Sequence, residues 1–104
     1  MLLIPELFPD VVGFQWDEGN AAKNWRRHEA TQTEAEQVFW NRPALIAEDP
    51  KHSGRERRHF ALGRTDAGRQ LMVAFTLRGS LLRVISARPV GRRERSIYTK
   101  AKTS

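Results

Sequence analysis

The sequence predicts an α+β protein, a two-layer arrangement in which a mainly antiparallel sheet carries two N-terminal helices on one face and a short helix follows at the C-terminus. Three observations support this. Residues 57–88 alternate apolar and polar side chains with a period of two, in segments separated by short turns. Residues 18–39 instead place Ala21, Ala22 and Trp25, then Ala35, Val38 and Phe39, at helical intervals. Both helical stripes precede most of the strands, so each needs the sheet to cover it.

Residues 1–13 contain Pro5 and Pro9 and read as an irregular lead-in. Phe14-Gln15-Trp16 alternates as a short strand. Asp17 is placed to cap a first helix over 18–28, with Asn20 three residues later. Thr31 or Thr33 caps the second helix, and Thr33-Glu34-Ala35-Glu36 resembles a capping box. Asn41 and Pro43 end it. Residues 44–47 form a short strand that leaves through Glu48-Asp49-Pro50 into a loop over 51–54. In the strand over 57–64, Phe60 and Leu62 share one face while Arg57 and His59 share the other. Thr65-Asp66-Ala67-Gly68 turns the chain into a strand where Leu71, Val73, Phe75 and Leu77 alternate with Met72, Ala74, Thr76 and Arg78. A tight turn over 78–80 leads to the last strand, in which Leu82 and Val84 face the core and Arg83 the open side. Arg88 ends it, Pro89 and Gly91 break the pattern, and Arg92, Arg93 and Arg95 open a helix. The expected organisation is one domain over 14–98 followed by a polar, frayed tail over 99–104.

A chain of 104 residues holds one modest core. The absence of Cys excludes disulfides and thiolate metal sites and is compatible with a reducing compartment. Residues 1–8 are apolar, but Pro5 and Glu6 interrupt them and no basic segment precedes them. No signal peptide is expected, and no run reaches the roughly 20 apolar residues of a membrane span, which points to the cytoplasm. Charge is unevenly placed. Residues 1–50 carry four basic and nine acidic side chains, whereas residues 51–104 carry fourteen basic and three acidic ones. Arginine dominates the basic half, and its planar fork suits phosphate. This balance points to nucleic acid as a partner, with an acidic protein as the other possibility.

Strand alternation gathers Arg57, His59, Thr76, Arg78 and Arg83 on the open face, with Ile85 and Ala87 beside Arg83. Such a set could bind phosphate through guanidiniums and move a proton through His59; the plainer reading is a solubilising surface. His28 suits the C-terminal dipole of the first helix, and His52 lies in a charged loop. The three His have no metal-ligand spacing, and no phosphate loop or dinucleotide fingerprint is present, so neither a metal nor a cofactor is expected. Glu94, set between Arg93 and Arg95, could pair with arginine or act as a base, and Tyr98 lies four residues on along the same helical face.

Three blocks then resemble a known family. They are Phe14-Gln15-Trp16-Asp17-Glu18; residues 24–28 with Glu34-Ala35 and Val38-Phe39; and Arg83-Val84-Ile85-Ser86-Ala87-Arg88 with Arg92-Arg93-Glu94-Arg95 and Tyr98. Together they resemble the BrnT family of ribonuclease toxins from bacterial type II toxin–antitoxin systems, which have a RelE-like fold. The chain departs from the family pattern at Asn20 and Arg27, where Lys is usual, at Glu29, where Gly is usual, and at Gln32, where an aromatic is usual. The resemblance implies metal-independent RNA cleavage, in which a ribose 2′-hydroxyl attacks its own phosphate and arginines stabilise the added charge. It also implies a ribbon-helix-helix antitoxin, BrnA-like, through which operator DNA is bound. The open face and the resemblance together assign Arg78, Arg83 and Arg88 to phosphate and His59 to proton transfer, with Glu94 and Tyr98 as further catalytic candidates. Arg57, Arg58, Arg64, Arg92, Arg93, Arg95, Lys23 and His28 are the expected RNA-binding set. The alternatives are a degenerate toxin and a non-catalytic module that docks an acidic protein or nucleic acid through the same arginines.

Overall fold

A computed structural model describes residues 8–17, 30–51, 54 and 56–103. The expected helix over 18–28, with Lys23, Trp25 and His28, lies outside the described residues, as does His52. Among the described residues, the elements run β1 (Gly13–Gln15), α1 (Gln32–Gln37), β2 (Leu45–Glu48), β3 (Arg58–Arg64), β4 (Gln70–Arg78), β5 (Leu81–Pro89) and α2 (Arg92–Thr103). This is an α+β architecture built on a five-stranded mixed sheet in the order β1-β5-β4-β3-β2. The strands β2 to β5 form an antiparallel meander, and β1 joins the far edge parallel to β5. A single described helix, α1, separates β1 from β2, so the expected pair of N-terminal helices is not what the described residues contain.

Local chemistry explains the element ends. Thr31 caps α1: its hydroxyl accepts the Glu34 N–H while the Glu34 carboxylate accepts the Thr31 N–H, both at 3.0 Å. The capping box is thus Thr31 with Glu34, two residues before the expected one. Glu36 is used elsewhere, accepting the Trp16 indole N–H at 2.6 Å. Gly68, at φ +88°, and Gly79, at φ +59°, occupy the left-handed positions of the two hairpin turns, which side chains disfavour. At the start of α2, the Glu94 carboxylate accepts the Gly91 N–H at 2.8 Å, satisfying a donor that the first turn leaves open. This helix continues to Thr103, five residues past the expected boundary at Tyr98.

The core lies between α1 and one face of the sheet. Ala35, Val38 and Phe39 pack on Ala61, Leu71, Val73, Phe75, Leu82, Val84 and Ala87, with Phe14, Trp16 and Ile46 at the margin. Phe39 meets Phe75 edge to face at 5.1 Å, a favoured geometry for two aromatic rings. On the opposite face, a smaller cluster of Leu62, Val90 and Tyr98 with Leu45 seats α2 on the β2–β3 end of the sheet. The Tyr98 hydroxyl donates to the Pro43 carbonyl at 2.7 Å.

This second helix corrects the expected face of β3. Register pairs Ala61 with Val73 and Gly63 with Leu71, which puts these small residues, not Phe60 and Leu62, under α1. A Cβ on Gly63 would come within 2.8 Å of the Val38 side chain, so the helix approaches closely there. Phe60 and Leu62 turn to the other face, where α2 covers Leu62. Both faces of β3 are therefore partly buried, and its larger apolar residues do not mark the α1 side. One further correction falls in β5. A register shift pairs Ala74 with Ser86 but Phe75 with Val84, making Ile85 the extra residue of a bulge. Ala87 consequently returns to the core and is not on the open face.

Candidate functional site

The part of the second face that α2 leaves uncovered holds a cavity of about 340 Å³, lined by Gly54, Glu56, Arg58, Thr76, Arg78, Arg83 and Ile85. Register explains the convergence. Arg58 pairs with Thr76, and Thr76 pairs with Arg83, so three adjacent strands bring these side chains into one row. Facing residues in such a row stand roughly 5 Å apart at Cβ. Gln15 on β1 extends the row beside Arg83. Arg78 lies two residues further along β4 on the same face.

Carboxylates hold two of these arginines. Arg78 makes a two-pronged pair with Glu56, Nε to Oε2 at 2.8 Å and Nη2 to Oε1 at 3.0 Å. The Arg78 hydrogen bond keeps the Glu56 carboxyl below its usual 4.5, against the opposing effect of burial. Arg83 donates to Asp17, just past β1, at 2.5 Å. Its side chain is only 13% exposed, whereas that of Asp17 is 46% exposed. Thr76 is buried, and its hydroxyl donates to the Arg57 carbonyl at 2.7 Å. The cavity therefore presents guanidiniums already oriented by acids, an arrangement that can exchange a carboxylate for a phosphate of similar geometry.

The other expected residues are distributed differently. His59 pairs with Phe75 and points to the α1 side, away from the arginines. Its ring stacks on Phe75 at 5.3 Å and meets Phe8 edge on at 5.8 Å, and its Nδ1 is buried without a hydrogen-bond partner among the described residues. The open face expected for Arg57 and His59 belongs instead to Arg58, one residue between them. Arg57 is exposed and pairs with Glu48 at 3.3 Å. Arg64 donates to the Arg42 carbonyl at 3.0 Å. Arg88 forms a bidentate pair with Glu94, at 2.8 and 2.7 Å, joining the end of β5 to the start of α2. That pair lowers the Glu94 carboxyl and raises the Arg88 guanidinium. Tyr98 is fully buried, and burial raises its hydroxyl. Arg92, Arg93 and Arg95 are exposed on α2. Alternation and spacing thus brought Arg78, Arg83 and Thr76 together correctly, whereas Glu56 and Asp17, the acids that orient the arginines, carried no periodic signal.

The family model of BrnT, a ribonuclease toxin of type II toxin–antitoxin systems, matches residues 16–94. The chain belongs to this family. The match takes in every residue that lines the cavity, together with Asp17 and the Arg88–Glu94 pair, and it stops one residue before Arg95. No curated protein matches the chain. Among the described residues no group of three or more His, Cys, Asp or Glu could hold a metal ion, and no helix is long and apolar enough to cross a membrane.

Proposed function

We propose that the chain is a cytoplasmic, RelE-like endoribonuclease toxin whose reaction takes place at the cavity of Glu56, Arg58, Thr76, Arg78 and Arg83. The convergence of three arginines on one cavity of about 340 Å³ supports this reading most directly. RNA cleavage without a metal needs a site that stabilises extra negative charge on phosphorus, and preoriented guanidiniums supply it. The ribose 2′-oxygen attacks the adjacent phosphorus, the bond from phosphorus to the 5′-oxygen breaks, the departing 5′-oxygen takes a proton from water, and a 2′,3′-cyclic phosphate remains. Arg58 and Arg83 hold the non-bridging oxygens. As a phosphate oxygen reaches Arg78 it competes with Glu56. The carboxylate released from the guanidinium regains basicity and accepts the 2′-hydroxyl proton. A ribbon-helix-helix antitoxin of BrnA type would neutralise the protein and carry the pair to operator DNA.

Incubating the purified protein with total RNA in EDTA tests this. Cleavage to products ending in cyclic phosphate is expected, and Arg83→Ala should lower the rate about 10²- to 10³-fold, the scale for loss of one charge-stabilising donor. Intact RNA at enzyme excess would leave the site as a binding surface only.

A further inference from the structure

β4 carries a cavity at each end, and only one belongs to the site above. The second, of about 370 Å³, is lined by Gly68, Arg69, Gln70, Pro89 and Arg95. Gln70 and Thr76 are separated by an even number of residues, so both lie on the face opposite α1. Six residues of strand place the two cavities about 20 Å apart. The ground between them is polar at Ser86 and at Arg88, the latter paired with Glu94; these two oppose Ala74 and Met72 across β4 and β5.

The second cavity has unused recognition chemistry. Arg95 is exposed on the first turns of α2, and among the described residues its guanidinium makes no hydrogen bond or ion pair. The Gln70 Oε1 is buried with no hydrogen-bond partner among the described residues. Arg69 is held against the rim by Glu34 at 3.3 Å. A cation with no carboxylate partner among the described residues, at the rim of a cavity, fits a phosphate oxygen of a nucleotide.

We infer that this second cavity is a distal subsite for single-stranded RNA, so that one strand lies along β4 with a phosphate in each cavity. This rests on RNA being the ligand of the first. At the 3.4 Å rise of a stacked strand, 20 Å corresponds to about six nucleotides, and to fewer in a stretched one. A trinucleotide is then too short to be held firmly at both ends, whereas a decanucleotide spans them.

Binding of 2′-O-methyl oligonucleotides, which cannot be cleaved, separates this from the catalytic reading. Fluorescence anisotropy should show the wild-type protein binding a ten-mer at least about tenfold more tightly than a three-mer, the scale of one charge-assisted contact. Arg95→Ala should remove that advantage and leave three-mer affinity unchanged. Lys102→Ala, which removes a charge from the same helix outside the cavity, should keep it. Equal affinity for the two lengths in the wild type, equal weakening of both by Arg95→Ala, or the same effect from Lys102→Ala would each overturn the subsite. Failure of the wild type to cleave natural RNA would defeat only the catalytic proposal, because the length advantage is read without cleavage.

Discussion

Glu56 concentrates the chemistry at the scale of single residues. It is an acid in a cavity otherwise furnished with guanidiniums, and its contact with Arg78 gives it two possible effects of opposite sign. As a competitor for Arg78 it would weaken RNA binding; as the proton acceptor it would speed cleavage. Glu56→Gln separates them, because the amide keeps the shape and loses both charge and basicity. Cleavage should fall about 10²-fold, within the range for a general base, while affinity for uncleavable RNA stays equal or rises. A variant that cleaves as fast as the parent would rule Glu56 out as the base. The pH profile gives a second reading. Arg78 lowers the Glu56 carboxyl from 4.5, so in the free enzyme it remains ionised on acidification until below that value. The profile of kcat/KM should therefore stay level from pH 7 to about pH 5, whereas an imidazole base would lose activity around pH 6.5.

Elements succeed or fail through the faces they present, and β3 shows how a face can mislead. Gly63 sits where α1 comes closest, and a methyl group there would stand 2.8 Å from Val38 Cγ1 and 3.1 Å from the Val38 carbonyl oxygen. Gly63→Ala should cost about 1–3 kcal/mol in denaturant unfolding, the range for overpacking a close contact. Adding Val38→Ala should recover part of the loss, since it clears the nearer clash but not the carbonyl. If Gly63→Ala unfolds at the parent's midpoint, the close approach is wrong. The same contact explains which parts of the fold were legible in sequence. Residues in β4 alternate legibly because the α1 face carries only apolar side chains while the other carries Gln70, Thr76 and Arg78, so Leu71, Val73 and Phe75 announced their side. In β3 the small residues Ala61 and Gly63 carry the α1 face while Phe60 and Leu62 lie on the other, so size pointed the wrong way. Turn glycines, the proline stops and the start of α2 were legible because they are local. The parallel pairing of β1 with β5 and the bulge at Ile85 depend on distant partners and left no local mark.

Across the whole molecule the uneven charge acquires a meaning that the linear count concealed. Acids from the first half pair with arginines of the second: Asp17 with Arg83, Glu34 with Arg69, and Glu48 with Arg57. Part of the imbalance is thus spent inside the fold. Arg92, Arg93 and Arg95 on α2, by contrast, have no side-chain partner among the described residues, so uncompensated charge gathers on the first turns of one helix beside the open face. The distinction has a measurable consequence. When a phosphate replaces a carboxylate on Arg78 or Arg83, one anion exchanges for another and the local charge balance changes little. When it reaches a free α2 cation, it neutralises charge and displaces counterions from the RNA. The salt dependence of RNA binding should accordingly report α2 more than the cavity. Each phosphate neutralised contributes about −0.7 to the slope of log K against log salt for a single strand. The triple variant Arg92→Ala, Arg93→Ala, Arg95→Ala should flatten that slope by about two. Arg83→Ala should lower affinity with little change of slope, because Asp17 already balances its charge. Titrations of a fluorescent single strand at several salt concentrations distinguish the cases: equal flattening by both variants would mean that the cavity arginines meet RNA as free charges, and that the carboxylates holding them do not govern the exchange.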